Sequence, residues 1–326
     1  MDICLYEGKL YIGDGDYGTN TGPVKVMAYN LETGKWETSG TLPDEAIRRF
    51  IILNGKLTVP GTDPRADWDY GNYYVLENGT WNTVRTIPDG IHNFDMIEFD
   101  GKIFAALDKE PGKIPLAVSS DGGNTFQTVN MYKDGELINT DGGVFNRCLD
   151  FIELNGVLYT AYFYGNEAND DIRLELYRYD AENGIFEFVK SLIGVTPIRS
   201  NCGKEFYKST VTFKNKVFIA SGYLLVSDDM DSFRKVKFEK NDIVWDIEIL
   251  GDEMYILTSF ENENGTHTVS VRKSVDGNTD TLSLEFQFVY DIPSVSFAVS
   301  ESDFFFAMYN NRSVHDKNGM ILRYTR

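Results

Sequence analysis

Asn54-Gly55-Lys56-Leu57, set between Ile51-Ile52-Leu53 and Thr58-Val59, is the stretch on which the fold turns. Asn-Gly supplies the two positive φ values that a two-residue hairpin needs, so the apolar residues before it pair with those after it. The same device recurs at Glu7-Gly8-Lys9-Leu10-Tyr11, Asp100-Gly101-Lys102-Ile103-Phe104 and Asn155-Gly156-Val157-Leu158-Tyr159. Weaker copies stand at Lys214-Asn215-Lys216-Val217-Phe218, Gly251-Asp252-Glu253-Met254-Tyr255 and Glu301-Ser302-Asp303-Phe304-Phe305. Turn positions 8, 55, 101, 156, 215, 252 and 302 recur about every 49 residues, the spacing of propeller blades.

Each repeat has room for two further strands. They are clearest in Val26-Met27-Ala28-Tyr29 with Lys35-Trp36-Glu37-Thr38, and in Tyr73-Tyr74-Val75-Leu76 with Thr80-Trp81-Asn82-Thr83. Tight turns at Glu32-Thr33-Gly34-Lys35 and Glu77-Asn78-Gly79-Thr80 join them. Helical periodicity is confined to one turn around Asp44 to Arg48. The pattern predicts an all-β chain: a seven-bladed β-propeller of four-stranded antiparallel blades, one domain over residues 1–326. The last repeat stops at Met320 to Tyr324, read as a third strand. Its blade is therefore expected to lack the outer strand and to leave an edge for a partner or another segment.

Two sets of residues carry a resemblance. The third and fourth strands of the first repeats resemble kelch-type repeats, with Tyr29-Asn30 and Trp36 in the expected relation. Ser119-Ser120-Asp121-Gly122-Gly123-Asn124-Thr125-Phe126 resembles the Asp-box of sialidase-like, BNR-repeat propellers, and Ser227 to Phe233 and Ser274 to Thr279 are looser copies. The whole chain is similar to bacterial propellers of this mixed type. The resemblance implies that the box is a peripheral turn whose Asp ties down backbone N–H groups. Sialidases grip a substrate carboxylate with three arginines; Arg48, Arg49 and Arg147 match that part, but no Tyr–Glu pair matches the nucleophile. Propellers with such turns are often secreted, which points to an extracellular or cell-surface protein. Met1-Asp2-Ile3-Cys4 shows no export signal, so the cytoplasm stays as the alternative.

Composition narrows the partners. With 50 acidic against 31 basic residues the formal charge is −19, which argues against nucleic acid. No apolar run reaches the roughly 20 residues of a membrane span, and a monomer is expected. Cys4, Cys148 and Cys202 are too few for a disulfide framework or zinc site. Buried thiols are expected, with a Cys148–Cys202 bridge as the alternative.

In a propeller the first strand of each blade lines the channel. Six residues before each turn position stand Asp2, Arg49, Asp95, Asp150, Ser209, Asp246 and Ser296. Beside them lie Arg48, His92, Asn93, Arg147, Tyr207, Lys208 and Trp245, together a predicted polar funnel. The loops Gly13 to Gly18, Asp63 to Tyr70 and Tyr162 to Asp171 mix carboxylates with aromatics. Tyr17, Trp68 and Tyr70 are the aromatics suited to stacking on sugar rings, unless they pack their loops onto the blades.

Three functions follow. The first is a glycan-binding face using Arg48, Arg49, Tyr17, Trp68, Tyr70, Tyr207, Lys208, Trp245 and Asp246. The second is a hydrolase or lyase, with Asp95 and Asp150 as acid and base beside His92 and Arg147. The competing role for those Asp residues is to accept hydrogen bonds from the next blade's backbone. The third is a protein-interaction scaffold. No cofactor is called for. Calcium is the one cation that Asp14-Gly15-Asp16 or Asp63, Asp67 and Asp69 would suit.

Overall fold

The computed structural model describes residues 1–15, 22–63, 67–143, 145–166, 171–192, 210–238, 242–309 and 315–326. The chain is an all-β propeller. Its strands hydrogen-bond within each repeat in chain order, as antiparallel blades. The inter-strand turns have the geometry that the sequence calls for: Asn54 and Gly55 take φ of 51° and 71°, Asp100 and Gly101 take 51° and 69°. Even Lys214-Asn215, without a glycine, holds both residues at positive φ, 49° and 59°. Two residues at positive φ match the twist of the flanking strands.

Two compact units make up the chain, the first from Met1–Ile12, Asn30–Thr33 and Thr196–Arg326, the second from Gly13–Tyr29 and Gly34–Val195. In the first lie the sheet Thr210–Phe213, Lys216–Ala220, Leu224–Ser227, Arg234–Val236 and the sheet Ile243–Leu250, Glu253–Glu261, His267–Ser274, Ser283–Tyr290. The last sheet, Ser294–Val299, Asp303–Met308 and Met320–Thr325, has three strands among the described residues, as its sequence predicts. Strand Asp2–Tyr6 of the first repeat is joined to the last sheet by a hydrogen bond from Ser296 Oγ to Asp2 Oδ1, 3.1 Å. That link is made by side chains, and among the described residues no strand is interleaved between the two sheets.

The second unit contains the sheet Ile51–Leu53, Lys56–Pro60, Tyr70–Glu77, Thr80–Pro88. Next come His92–Phe99, Lys102–Asp108, Leu116–Ser119, Gln127–Thr128, and then Phe145–Leu154, Val157–Asn166, Asp171–Asp180, Ile185–Ser191. A bridge between Asp108 and Arg147 joins these last two blades edge to edge. A short hairpin, Met131–Lys133 with Glu136–Leu137, runs parallel to Ile185–Ser191 and covers that outer edge. Its Asp134-Gly135 turn has the same positive φ pair, 53° and 81°, and is an Asp-Gly signal that the repeat count passes over.

Burial follows strand position. Ser294–Val299 and Asp303–Met308 are buried along their whole length, as expected of strands covered on both faces. Outer strands alternate, as Ile185–Ser191 does, because one face meets water. Phe104, Leu116, Cys148, Phe151, Tyr162, Tyr177 and Phe186 form an apolar cluster of the second unit. Trp245, Tyr255, Phe297, Phe304 and Phe306 anchor the corresponding cluster of the first. Each such side chain contributes about 1.5–3 kcal/mol on burial.

The helical turn expected at Asp44 to Arg48 does not form. Gly15 bridges Ala46, and Ile47 N–H donates to the Asp14 carbonyl at 2.9 Å. Asp44 is buried and accepts from Thr62 N–H, Asn72 Nδ2 and Tyr74 OH. A single helical turn cannot offset its nucleation cost, and these tertiary bonds displace it.

Candidate functional site

The first strand of four blades carries one extra residue relative to its partner strand: Phe94, Leu149, Trp245 and Val295. Each bulge stands seven residues before its turn position and directly before Asp95, Asp150, Asp246 or Ser296. A β-bulge re-aims the side chain that follows it. Asp95 Oδ1 accepts from Met96 N–H and Oδ2 from Phe151 N–H of the next blade, both at 2.9 Å. Asp246 does the same with Ile247 N–H and Phe297 N–H, both at 3.1 Å. Asp2, Asp95, Asp150 and Asp246 are all buried. The sequence spacing identifies these residues; the bulges that precede Asp95, Asp150, Asp246 and Ser296 are legible only in the register.

In the second unit Arg49 lies between two of these acids, its Nη1 3.0 Å from Asp95 Oδ1 and 3.3 Å from Asp150 Oδ1. The carboxylates named as acid and base are thus brought together, but around a guanidinium. A paired, backbone-bonded carboxylate is a poor proton shuttle.

A second cluster gathers at the start of His92–Phe99. His92 Nδ1 faces Asp108 Oδ2 at 3.1 Å, and Nε2 faces Asp63 Oδ2 at 3.6 Å. Arg147 Nε donates to the same Asp108 Oδ2 at 2.8 Å. Phe94 forms the floor: the His92 ring stacks on it at 5.7 Å, and the Arg48 and Arg147 guanidinium carbons lie 5.1 and 5.6 Å from its centroid. Arg147 also lies 4.8 Å from the Phe145 ring. Burial works to keep His92 neutral, but Asp108 and Asp63 outweigh both it and the Arg48 charge, so the imidazole pKa sits above its ordinary 6.5. Asp63 is held below the usual carboxylate range, first by its bond to His92 and against its own partial burial, with the His92 and Arg48 charges adding. Both ring nitrogens of His92 therefore face carboxylates.

Asp63 precedes Trp68 and Asp69 in the loop that runs up to Tyr70, the first residue of strand Tyr70–Glu77. Arg85 fixes that loop from the side, its Nη2 donating to the Asp67 carbonyl at 2.8 Å. Trp68 and Tyr70 are 50% and 47% exposed, and neither ring stacks on another among the described residues. Asp108 and Phe145 are the members that sequence reasoning passes over. Asp108 ends the apolar run Ile103 to Leu107 with an acid, which is the signal that was available.

Other predicted residues lie elsewhere. In the first unit Trp245 is buried, its Nε1 donating to Ser259 Oγ at 2.7 Å. Tyr17, Tyr207, Lys208, Ser209 and Cys202 fall outside the described residues, as does Asp16 of the Asp14-Gly15-Asp16 pair. Cys148 is a free, buried thiol whose pKa burial pushes up. Among the described residues no three His, Cys, Asp or Glu side chains are grouped to hold a metal ion, and no helix is long and apolar enough to cross a membrane.

The turns that resemble Asp-boxes share one hydrogen-bond scheme. Ser119 Oγ accepts from Gly123 N–H at 2.8 Å, and Asp121 accepts from Thr125 N–H at 2.9 Å and from its hydroxyl at 2.7 Å. Ser227 with Asp229, and Ser274 with Asp276, repeat it. These bonds hold Asp121 down to a pKa of about 2.

No protein-family model matches the chain, and no curated protein matches it in sequence. Solved structures do match in shape. A proposed 6-phosphogluconolactonase from Bacteroides fragilis superposes with a TM-score of 0.54 at 12% identity, over 97% of this chain and 93% of its own. A chain of the mitotic checkpoint complex gives 0.53 at 10% identity over 92% and 84%, and the polysaccharide lyase Uly1 gives 0.51 at 10% over 99% and 88%. At such identities the likeness extends to the β-propeller fold alone, and it spans carbohydrate enzymes and assembly proteins alike.

Proposed function

We propose that this chain is a carbohydrate-recognising propeller, whose ligand face is built from His92, Arg48, Arg147 and the loop bearing Trp68 and Tyr70. The observation that carries this reading is that two half-exposed aromatics, unstacked among the described residues, stand at Trp68 in the loop whose Asp63 contacts His92 and at Tyr70, where that loop enters its strand. A sugar ring stacks its apolar face on an exposed aromatic, and fixed polar groups nearby orient its hydroxyls. Binding is favoured over hydrolysis because Asp95 and Asp150 are committed to Arg49, and His92 to Asp63 and Asp108. The same reading assigns the protein to the cell exterior, where polysaccharides are met.

The test is a glycan-array and titration screen of the wild type beside Trp68→Ala and Tyr70→Ala. Each substitution is expected to weaken binding about tenfold to a hundredfold, the ~1–3 kcal/mol typical of a buried aromatic contact. Unchanged affinity in both variants, or turnover of a bound glycan by the wild type, would overturn it.

A further inference from the structure

We propose that the outer edge of the last sheet is a docking site for an extended segment of a partner protein, which adds itself as a fourth strand and sets an aromatic residue on Tyr324. The site uses none of the residues of the glycan face.

In the sheet Ser294–Val299, Asp303–Met308 and Met320–Thr325 the third strand is the outer one among the described residues. Two bonds fix the direction of its backbone groups. Ser300 N–H donates to the Asp303 carbonyl, and Arg326 N–H to the Ser302 carbonyl, both at 2.8 Å. Asp303 therefore bonds toward the first strand, and its neighbours Phe304 and Phe306 bond toward Tyr324 and Leu322, which stand opposite them. The backbone N–H and C=O of Ile321 and Thr325 then point outward, with no backbone partner among the described residues. Such an edge is a template for one more strand.

The other blades show which side chain belongs there. Fourth strands Lys35–Leu42, Thr80–Pro88 and Ile185–Ser191 each carry an aromatic as their second residue: Trp36, Trp81 and Phe186. Each meets the penultimate residue of its third strand. Trp36 lies 4.9 Å from Tyr29 and Phe186 lies 5.2 Å from Tyr179, ring to ring, while Trp81 stands opposite Leu76. Tyr324 is the penultimate residue of Met320–Thr325. Under their fourth strands Tyr179 and Leu76 are 7% and 6% exposed, whereas Tyr324 is 43% exposed although it stacks on Phe286 at 3.6 Å. Phe286, Phe288 and Tyr290, all half-buried, continue from Tyr324 as an apolar wall along which alternate side chains of an added strand would lie.

Size and charge decide the occupant. Six residues make an edge about 20 Å long, and at a sheet depth of ~10 Å that is roughly 200 Å² a side, far short of the ~1,000 Å² in total of a stable dimer. A second copy would also bring a further charge of −19 against the first. A flexible segment escapes both limits, because main-chain bonds supply its affinity and alternate side chains its specificity. The bases of this region, Lys317, Arg323 and Arg326, are answered by Asp291, Asp303 and Glu285. Recognition thus falls to the backbone and the aromatic, and not to a charged motif.

The probe is a synthetic peptide of residues 80–88, a fourth strand of this protein, together with its Trp81→Ala form. Hydrogen exchange at the Ile321 and Thr325 amides is followed by NMR with and without peptide, and affinity by isothermal titration. Both amides should exchange quickly in the free protein and at least ten times more slowly with the peptide bound. The Trp81→Ala peptide should bind about tenfold more weakly, and so should the protein variant Tyr324→Ala. Ile321→Pro removes an outward donor and spares the bonds to Asp303–Met308, so it should weaken binding without lowering the melting temperature. Amides already protected in the free protein overturn the proposal; sedimentation then tells a second copy from a cover supplied by the chain itself. No binding of the peptide, or binding that leaves both amides fast, overturns it as well. Equal affinity of the two peptides removes the role given to Tyr324.

Discussion

Lys109 offers the sharpest quantitative test. It follows the site residue Asp108 in the chain and is only 2% exposed. Its backbone is fixed, N–H donating to the Asn146 carbonyl at 3.2 Å and its own carbonyl accepting from Asn146 Nδ2 at 3.3 Å. The ammonium has no such partner among the described residues. Burial drives its pKa from 10.5 down to about 8, with nearby Asp89 opposing and Lys113 reinforcing the fall. At ~1.36 kcal/mol per pH unit, that drop means the folded protein gives up roughly 3 kcal/mol at neutral pH to keep Lys109 charged. Lys109→Met retains the stem and removes the charge, so the variant should be more stable by up to about 3 kcal/mol at pH 7. With an unfolding entropy of ~2.1 cal/mol/K per residue over 326 residues, its melting temperature should rise about 4–5 °C. The pH dependence has a fixed sign. For a lysine with a depressed folded pKa, the penalty is complete below about 8 and disappears as pH climbs toward the unfolded value near 10.5. The stability difference, read by urea denaturation of both proteins at matched pH, should therefore shrink between pH 8 and 10.5. A variant less stable than wild type at pH 7, or a difference that stays constant over that window, would refute the argument.

Arg49→Met should be strongly destabilising, by about 3–5 kcal/mol, because it strands Asp95 and the nearly inaccessible Asp150 without their counter-charge. Adding Asp95→Asn and Asp150→Asn should restore part of the loss in chemical denaturation; no restoration would mean that Arg49 acts through packing. For His92 the folded pKa is raised, so its contribution is complete below about 6.5 and is lost as pH rises through the higher folded value. The stability gap between wild type and His92→Asn should thus be widest below about pH 6.5 and narrow as pH rises above it. A gap that widens with pH would show that Asp63 and Asp108 do not favour the charged form of His92.

The blade count, the hairpin turns and the three-stranded last sheet were legible in the chain, because each depends on local chemistry. Asn54-Gly55 and Asp100-Gly101 dictate positive φ wherever they occur, and a strand of two or three apolar residues on either side needs no distant contact to be recognised. The hydrogen-bonded turn at Asp121 is equally local, spanning only Ser119 to Thr125. Tertiary structure decided what the inner-strand acids do. Register shifts at Phe94, Leu149, Trp245 and Val295 appear only once a partner strand is present to count against, and they determine whether the next residue faces a channel or a neighbouring backbone. Likewise Asp63, His92, Asp108 and Arg147 come from three repeats separated by up to 84 positions, and their shared charges exist only after those strands are side by side. Dihedral preferences are written residue by residue, whereas a pairing of charges requires the chain to have returned to the same place.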